Sequence, residues 1–332
     1  MAMASLAKVA GISAGAVLLA LNIPHIPHLS SQRLTAFVGD FPIPDYPFAL
    51  PFFRGSDTND TDGDTDDTDD NPSEAPFVCD ASHTYRAEIV SLEPLLIYIH
   101  ALVTPPEIAS ILRTAEPLFA PSQVTKNGRQ QRTSDRTSSS AGLPRDDGAV
   151  RCVVARARGF LGTLLRDDYD EMGPPQLVRY TAGQRFNVHH DWFDSPRAAA
   201  DGTSREWNRI ASFFAILQDN CTGGETYFPH AEAVAPSSPW GGPSWHGGGG
   251  VGDDGDEDGK ETDSLSPGPK PLWREHEDGG LAFRPVAGNA LFWVNLHANW
   301  TGDVRTNHAG LPLVDGLKTA MNIWPRQYRP DT

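Results

Sequence analysis

His189, His190 and Asp191 are consecutive, and His308 lies far downstream. Two histidines and one carboxylate on one face form the donor set that suits ferrous iron in oxygen-activating sites. That set leaves coordination positions free for a cosubstrate and oxygen. In an extended chain residues i and i+2 share a face, so His189 and Asp191 point together. His190 points away and is assigned no metal role. H-x-D alone arises readily by chance, and a second copy stands at His276-Glu277-Asp278, in an acidic stretch where no strand is expected. His189 differs in its context. It follows Gln176 to Phe186, which reads as strand, turn and strand.

Other segments carry chemistry in the same half of the chain. Leu217-Gln218-Asp219 reads as a turn, followed by Gly223-Gly224-Glu225-Thr226-Tyr227-Phe228-Pro229, which leads into a strand. Gly288 to Trp293 reads as a turn into a buried strand. His308-Ala309-Gly310-Leu311-Pro312-Leu313 comes next, and Lys318 lies ten residues after His308. A Pro/Gly turn could return Lys318 to the interior, where a buried cation would suit a dicarboxylate.

These residues need a scaffold of short strands. Gln176–Tyr180, Ile210–Leu217, Thr226–Phe228, Leu281–Pro285, Ala290–Val294 and Ala320–Trp324 qualify, with Pro and Gly between them. Upstream, Ser91 to His100 reads as one apolar strand. Thr104-Pro105-Pro106 reads as a helix cap with prolines in the first turn. Ile108, Ile111, Leu112 and Ala115 then follow at helical spacing, and a second amphipathic helix spans about Gly148 to Leu165. The polar stretch Ser122 to Asp147 between the helices is expected to hold a strand and a mobile loop. Helices followed by many short strands predict an α+β chain, mainly β at its core, with helices packed on a sandwich or barrel. The folded domain is expected over 77–328. Within it, 232–280 is rich in Gly, Pro, Ser and acids and reads as a disordered insertion.

Taken in order, Arg136-Thr137-Ser138, the R-Y-x-x-G-Q-x-F-x-x-H-x-D run from Arg179 to Asp191, Arg209, Leu217-Gln218-Asp219, the G-G-E-T-Y-F-P run, G-N-A-L-F and the run from His308 to Lys318 resemble the prolyl 4-hydroxylase family of Fe(II)/2-oxoglutarate-dependent dioxygenases. The resemblance spans about Ile108 to Trp324. It implies a double-stranded β-helix (jelly-roll) with N-terminal helices packed outside. It implies Fe(II) held by His189, Asp191 and His308. It implies 2-oxoglutarate with its distal carboxylate on Lys318 and its pocket lined by Tyr180 and, more weakly, Thr226. It further implies O2 as cosubstrate, L-ascorbate as a reductant, and hydroxylation of prolyl residues in a protein or peptide with release of succinate and CO2. The same chemistry on another residue or a small metabolite is the alternative, and an inactive binding module a distant one. Two departures stand out: Ile216 occupies a position where the family often has Tyr, and Thr319 one where it has an aromatic residue.

The rest of the chain speaks to its setting. Residues 1–23 include the uncharged apolar run Val9 to Ile23 after Lys8, which reads as a signal peptide or signal anchor into the secretory pathway, with the endoplasmic reticulum as destination. A single-pass membrane anchor is one outcome of that reading. Residues 24–75 read as a disordered acidic, Pro-rich linker. The formal net charge of −16 is concentrated there and in the insertion: eight aspartates lie between Asp57 and Asp70, and five acids between Asp253 and Asp258. Nucleic acid is excluded as a partner, because it requires a basic patch. Three cysteines without a C-x-x-C pair exclude a thiolate zinc site and allow one disulfide of unspecified pairing. N-x-S/T sequons occur at Asn59, Asn220 and Asn299. Oligomeric state is not readable from the sequence.

Overall fold

The structure, a computed structural model, describes residues 40–41, 76–126, 129–131, 134–235 and 270–329 of the 332. The expected signal segment, nearly all of the linker and the middle of the insertion lie outside the described residues. Among those that are described, no helix is long and apolar enough to cross a membrane.

A hairpin of β1 (Tyr85–Leu92) and β2 (Leu95–His100) opens the domain. The single strand expected over Ser91 to His100 is therefore corrected: the chain reverses at Glu93-Pro94, where proline offers no ladder donor. Helix α1 (Pro105–Ala115) starts as the sequence predicts. Thr104 accepts from Glu107 N, and Glu107 reaches back to Thr104 N, a reciprocal capping box. Helix α2 (Gly148–Leu161) is capped by Asp147, which accepts from Val150 N at 2.9 Å. Between the helices lie a small hairpin (Val124–Lys126 with Arg129–Gln131) and β3 (Ser139–Gly142).

Strands β4 (Gln176–Thr181), β5 (Phe186–His189), β6 (Arg197–Ala198), β7 (Glu206–Arg209), β8 (Ala211–Gly223) and β9 (Thr226–Phe228) follow. Next come β10 (Trp273–Glu275), β11 (Leu281–Phe283) and β12 (Ala290–Val294). The domain closes with β13 (His308–Gly310), β14 (Leu313–Ile323) and β15 (Pro325–Tyr328). The large sheet runs β1-β2-β12-β8-β14-β4-β3, with two-residue strands at both edges, and the facing sheet runs β5-β13-β9-β11-β10. These two sheets form the double-stranded β-helix. A smaller sheet, β6-β7-β15 with Glu171–Met172, stands beside them.

Alternation on the large sheet explains the layering. Phe213 and Phe292 join Phe160 of α2 in one core, with Ile111 of α1, so the helices cover that face. Leu291 and Trp293, one residue out of phase with Phe292, meet Phe228 and Phe283 of the facing sheet in a second core. Because both faces of β12 are buried, it reads as an unbroken apolar run rather than an alternating one.

Three local expectations are corrected. Leu217-Gln218-Asp219 is no turn; it lies within β8, which pairs with β14 along its length. The reversal falls instead at Gly223 and Gly224, both at positive φ (72° and 68°), where glycine is the residue without a Cβ penalty. The disorder expected over 232–280 does not hold at its downstream end. Residues 270–280 form β10 and its turn, because Leu272 and Trp273 are buried against Tyr98 and Phe283. His276-Glu277-Asp278 therefore sits in a turn after a strand, not in unstructured chain. The open cysteine pairing resolves as Cys79–Cys152, tying the segment before β1 to α2 and leaving Cys221 free.

Candidate active site

Strand pairing builds the metal-binding face. β5 and β13 are antiparallel neighbours, and His189 stands directly opposite His308. Asp191 follows two residues after His189, and the ligand atoms of His189, Asp191 and His308 lie within 4.8 Å of one another. Asp191 and His308 are buried and His189 is half-buried. His190 is directed elsewhere: its ring stacks on Trp192 at 4.1 Å and lies 3.3 Å from Asp194.

Second-layer contacts fix each ligand. His189 Nδ1 lies 2.8 Å from Asn187 O, and His308 Nδ1 lies 3.1 Å from Thr306 O. A carbonyl only accepts, so each Nδ1 carries the proton and each Nε2 keeps its lone pair for a metal. Burial, then the neighbouring His308, pushes the His189 pKa down to about 3, so the imidazole is neutral at physiological pH. Asp191 Oδ2 accepts from Ser212 Oγ at 2.7 Å and from Trp324 Nε1 at 3.0 Å, while Asn295 Nδ2 donates to Ser212 Oγ at 3.0 Å. Burial alone would raise the Asp191 carboxyl; His308, His189, Arg209 and the Ser212 hydroxyl together bring it down to about 2. Phe186 stacks on His189 at 3.5 Å, and Trp293 packs edge-on to His308 at 4.7 Å. Two imidazoles, each turned by a backbone carbonyl, and one ionised carboxylate fit an open divalent iron site.

His276, Glu277 and Asp278 also bring three ligand atoms together, but both carboxylates are exposed and water competes for them.

Lys318 is the buried cation the sequence suggested, at 1% exposure. It sits on β14 opposite Tyr180 of β4. Its Nζ donates to Gly224 O at 2.6 Å and to Thr226 Oγ1 at 3.4 Å. Burial pushes its pKa down to about 8, and no carboxylate pairs with it among the described residues. Tyr180 is buried, and a Cβ on Gly310 would lie 3.6 Å from its hydroxyl, so the phenol reaches across to β13. Ile216, at the position of the family's tyrosine, packs with Tyr180, Leu313 and Ala320 in an apolar cluster.

Tyr180, Thr226 and the three metal-ligating side chains line one cavity of about 1110 Å³, which opens past Arg136, Phe193, Arg197 and Trp324. Ser212, Asn295, Trp324 and Phe193 are the site residues that motif reading missed. Period-2 alternation would have found two of them. Trp324 continues the parity of Lys318, Ala320 and Asn322, and Ser212 that of Phe214, which lines the cavity.

A model of the 2OG-Fe(II) oxygenase superfamily matches residues 175–326. Over that span the chain is similar to that superfamily. It is 27% identical over 250 residues to the probable prolyl 4-hydroxylase 10 of Arabidopsis thaliana, covering 74% of each chain. It is also 27% identical over 244 residues to the human prolyl 4-hydroxylase subunit alpha-3, covering 73% of this chain and 36% of that one. Among solved structures, a viral collagen prolyl hydroxylase from Paramecium Bursaria Chlorella virus-1 superposes with a TM-score of 0.44 at 17% identity, over 70% of this chain and 96% of that one. These similarities support a prolyl 4-hydroxylase-like chain with the activity of a 2-oxoglutarate- and Fe(II)-dependent dioxygenase using O2.

Proposed function

We propose that this oxygenase hydroxylates prolyl residues of a protein or peptide, with release of succinate and CO2. The observation that carries the substrate side is the size of the cavity. At about 1110 Å³ it exceeds what a small dicarboxylate fills and leaves an open mouth for a chain. The prolyl 4-hydroxylase names of its relatives support the choice of residue.

In this reading His189, Asp191 and His308 would hold Fe(II), and Lys318 would pair with the distal carboxylate of 2-oxoglutarate. Bound iron and 2-oxoglutarate supply, with O2, the oxidising power that turns a C–H bond into C–OH. The protein's own residues do the rest. Ser212 and Trp324 hold the Asp191 rotamer, and the two backbone carbonyls hold the imidazoles. Phe186, Phe228 and Trp293 keep water from the histidines. Tyr180 and Thr226 shape the cosubstrate end. L-Ascorbate, as the reductant that keeps the iron ferrous, belongs to the same proposal.

Entry into the secretory pathway is proposed as well, with residence in the endoplasmic reticulum. The apolar run Val9 to Ile23 supports it, and so does the Cys79–Cys152 bridge, since disulfides persist in oxidising compartments. Alkylation of the native protein before reduction checks it: two modified thiols at Cys79 and Cys152 would count against that location.

Mass spectrometry of proline-containing peptides incubated with enzyme, Fe(II), 2-oxoglutarate and ascorbate tests the function. A gain of one oxygen on proline with equimolar succinate is expected, lost in His189→Ala. Succinate formation without modified proline would sink the prolyl assignment.

A further inference from the structure

Several arginines away from the cavity are neutralised: Arg156, Arg179, Arg205, Arg305 and Arg326 each hold a carboxylate oxygen at 2.6 to 2.8 Å. The three that line the cavity are different. Among the described residues Arg136 donates to neutral oxygens only: Ser138 Oγ, Gln123 O and Gln176 Oε1, at 3.3 to 3.5 Å. Arg209 donates to the backbone oxygen of Asp191 at 3.1 Å. The Arg197 side chain makes no hydrogen bond or ion pair among the described residues. Its guanidinium rests 4.5 Å from the centre of the Phe193 ring, and that same ring carries Arg209 at 4.8 Å.

Like charges gathered on one aromatic ring repel each other, and half-burial weakens the solvent screening that would hide it. Asp191, whose backbone oxygen Arg209 holds, would be committed to the metal in the working enzyme. The cavity's other acids do not compensate: the Asp194 side chain is 87% exposed beside His190, and Asp135 accepts from Asn187. Neither lies within ion-pair distance of the three arginines. The mouth of the cavity is thus a preorganised site for an anion, built from stacked guanidiniums that favour planar carboxylates.

We propose that this enzyme selects peptides bearing a carboxylate near the proline to be hydroxylated, and that Arg197 at the mouth is the specificity-determining cation. The proposal rests on the prolyl reading above. The carboxylate could be an Asp or Glu side chain or the peptide's own C-terminus; either offers the same chemistry.

The test uses the full chain with Fe(II), 2-oxoglutarate and ascorbate. Matched proline peptides carry Glu, Gln or Lys beside the proline, each with a free or amidated C-terminus. The readout is the ratio of kcat/KM between peptides within one variant, which cancels any loss of folded enzyme. The Glu peptide should exceed the Gln peptide by about tenfold in the wild type, one charge-assisted contact. Raising the salt should shrink the ratio. Arg197→Gln should bring it close to one, and Arg197→Glu should favour the Lys peptide. A free C-terminus that restores the Gln peptide would assign the carboxylate to the chain end. Equal hydroxylation of Glu and amidated Gln peptides by the wild type overturns the proposal and leaves the prolyl function standing. If succinate forms and no proline is modified, the prolyl function fails instead. Tryptophan-fluorescence titration with the same peptides then decides the charge selection, and equal Kd values for Glu and Gln would end it too.

Discussion

Lys318 is a charged group held where charge is costly, and its pH behaviour follows from that. Burial brings its pKa from 10.5 down to about 8 in the folded protein. Below pH 8 it is charged both folded and unfolded, and the burial penalty is fully felt. Between pH 8 and 10.5 the folded state sheds the proton first, so this residue's burden on stability lightens as pH rises. Cosubstrate binding should run the other way, because a dicarboxylate needs the ammonium. The Kd for 2-oxoglutarate should rise about tenfold per pH unit above about 8, with proton uptake on binding. Anaerobic calorimetry at pH 7 and 9 checks this; a flat Kd would remove Lys318 from the carboxylate site. Asp191 makes a second residue-scale prediction. Ser212→Ala removes one of its two donors and should weaken divalent metal binding by roughly 10–100-fold. Metal titration of the purified protein measures this without any turnover, and unchanged affinity would leave the Ser212 bond merely incidental. The metal ligands and Lys318 were legible because each is a rare residue type at a fixed spacing. Asn295 was not: an asparagine carries no signal until the fold sets β8, with its Ser212, beside β12. The partners of Arg197 and Arg209 were equally hidden, since a ring shared by two guanidiniums is a property of space.

Helix starts were legible because capping is local. Thr104, the prolines after it and Glu107 lie within four residues, and the box they make is worth about 1 kcal/mol. What joins the two helices was not legible, because it spans 49 residues. Arg156 of α2 holds Glu107 of α1 through two bonds, at 2.8 and 3.0 Å, and also donates to Leu102 O. Both side chains are nearly fully buried. Arg156→Met should therefore destabilise the fold by about 3–5 kcal/mol, since it strands a buried carboxylate. Adding Glu107→Gln should recover most of that loss, because glutamine can keep the capping bond without the charge. Urea denaturation of the single and double variants decides it; a double variant no more stable than the single would mean the charge is not the cause. Strand lengths were the other shortfall. β8 runs on through Gln218 to Gly223, and β14 begins at Leu313, because the two pair as a polar ribbon beyond the core. Apolar patterning ends at Leu217 and says nothing of a ladder held by backbone bonds.

At the scale of the molecule the question is where the domain ends and the acidic, glycine-rich stretch begins. Composition set that boundary at Gly280, but packing sets it further upstream. Composition averages over a window, and one tryptophan in a Gly/Pro/Ser background barely moves the average. Trp273 is 4% exposed, with ring centres 6.0 Å from Tyr98 and 6.1 Å from Phe283, and β10 completes the facing sheet at its outer edge. Removing its side chain should cost about 3–5 kcal/mol, the range for a large aromatic in a core. Replacing residues 236–269 by a short Gly/Ser linker should cost far less, since loop-closure entropy changes slowly with length. The two variants should also differ from any active-site variant. In the sheet order β5-β13-β9-β11-β10, strands β9 and β11 stand between Trp273 and the strands bearing His189 and His308. Well below the melting transition, Trp273→Ala should therefore retain its affinity for divalent metal while its Tm drops. Thermal melts and metal titrations of both variants separate the cases. A Trp273→Ala protein as stable as the wild type would return 270–280 to the insertion. One that melts normally but loses metal would mean that this outer edge is coupled to the site through the sheet.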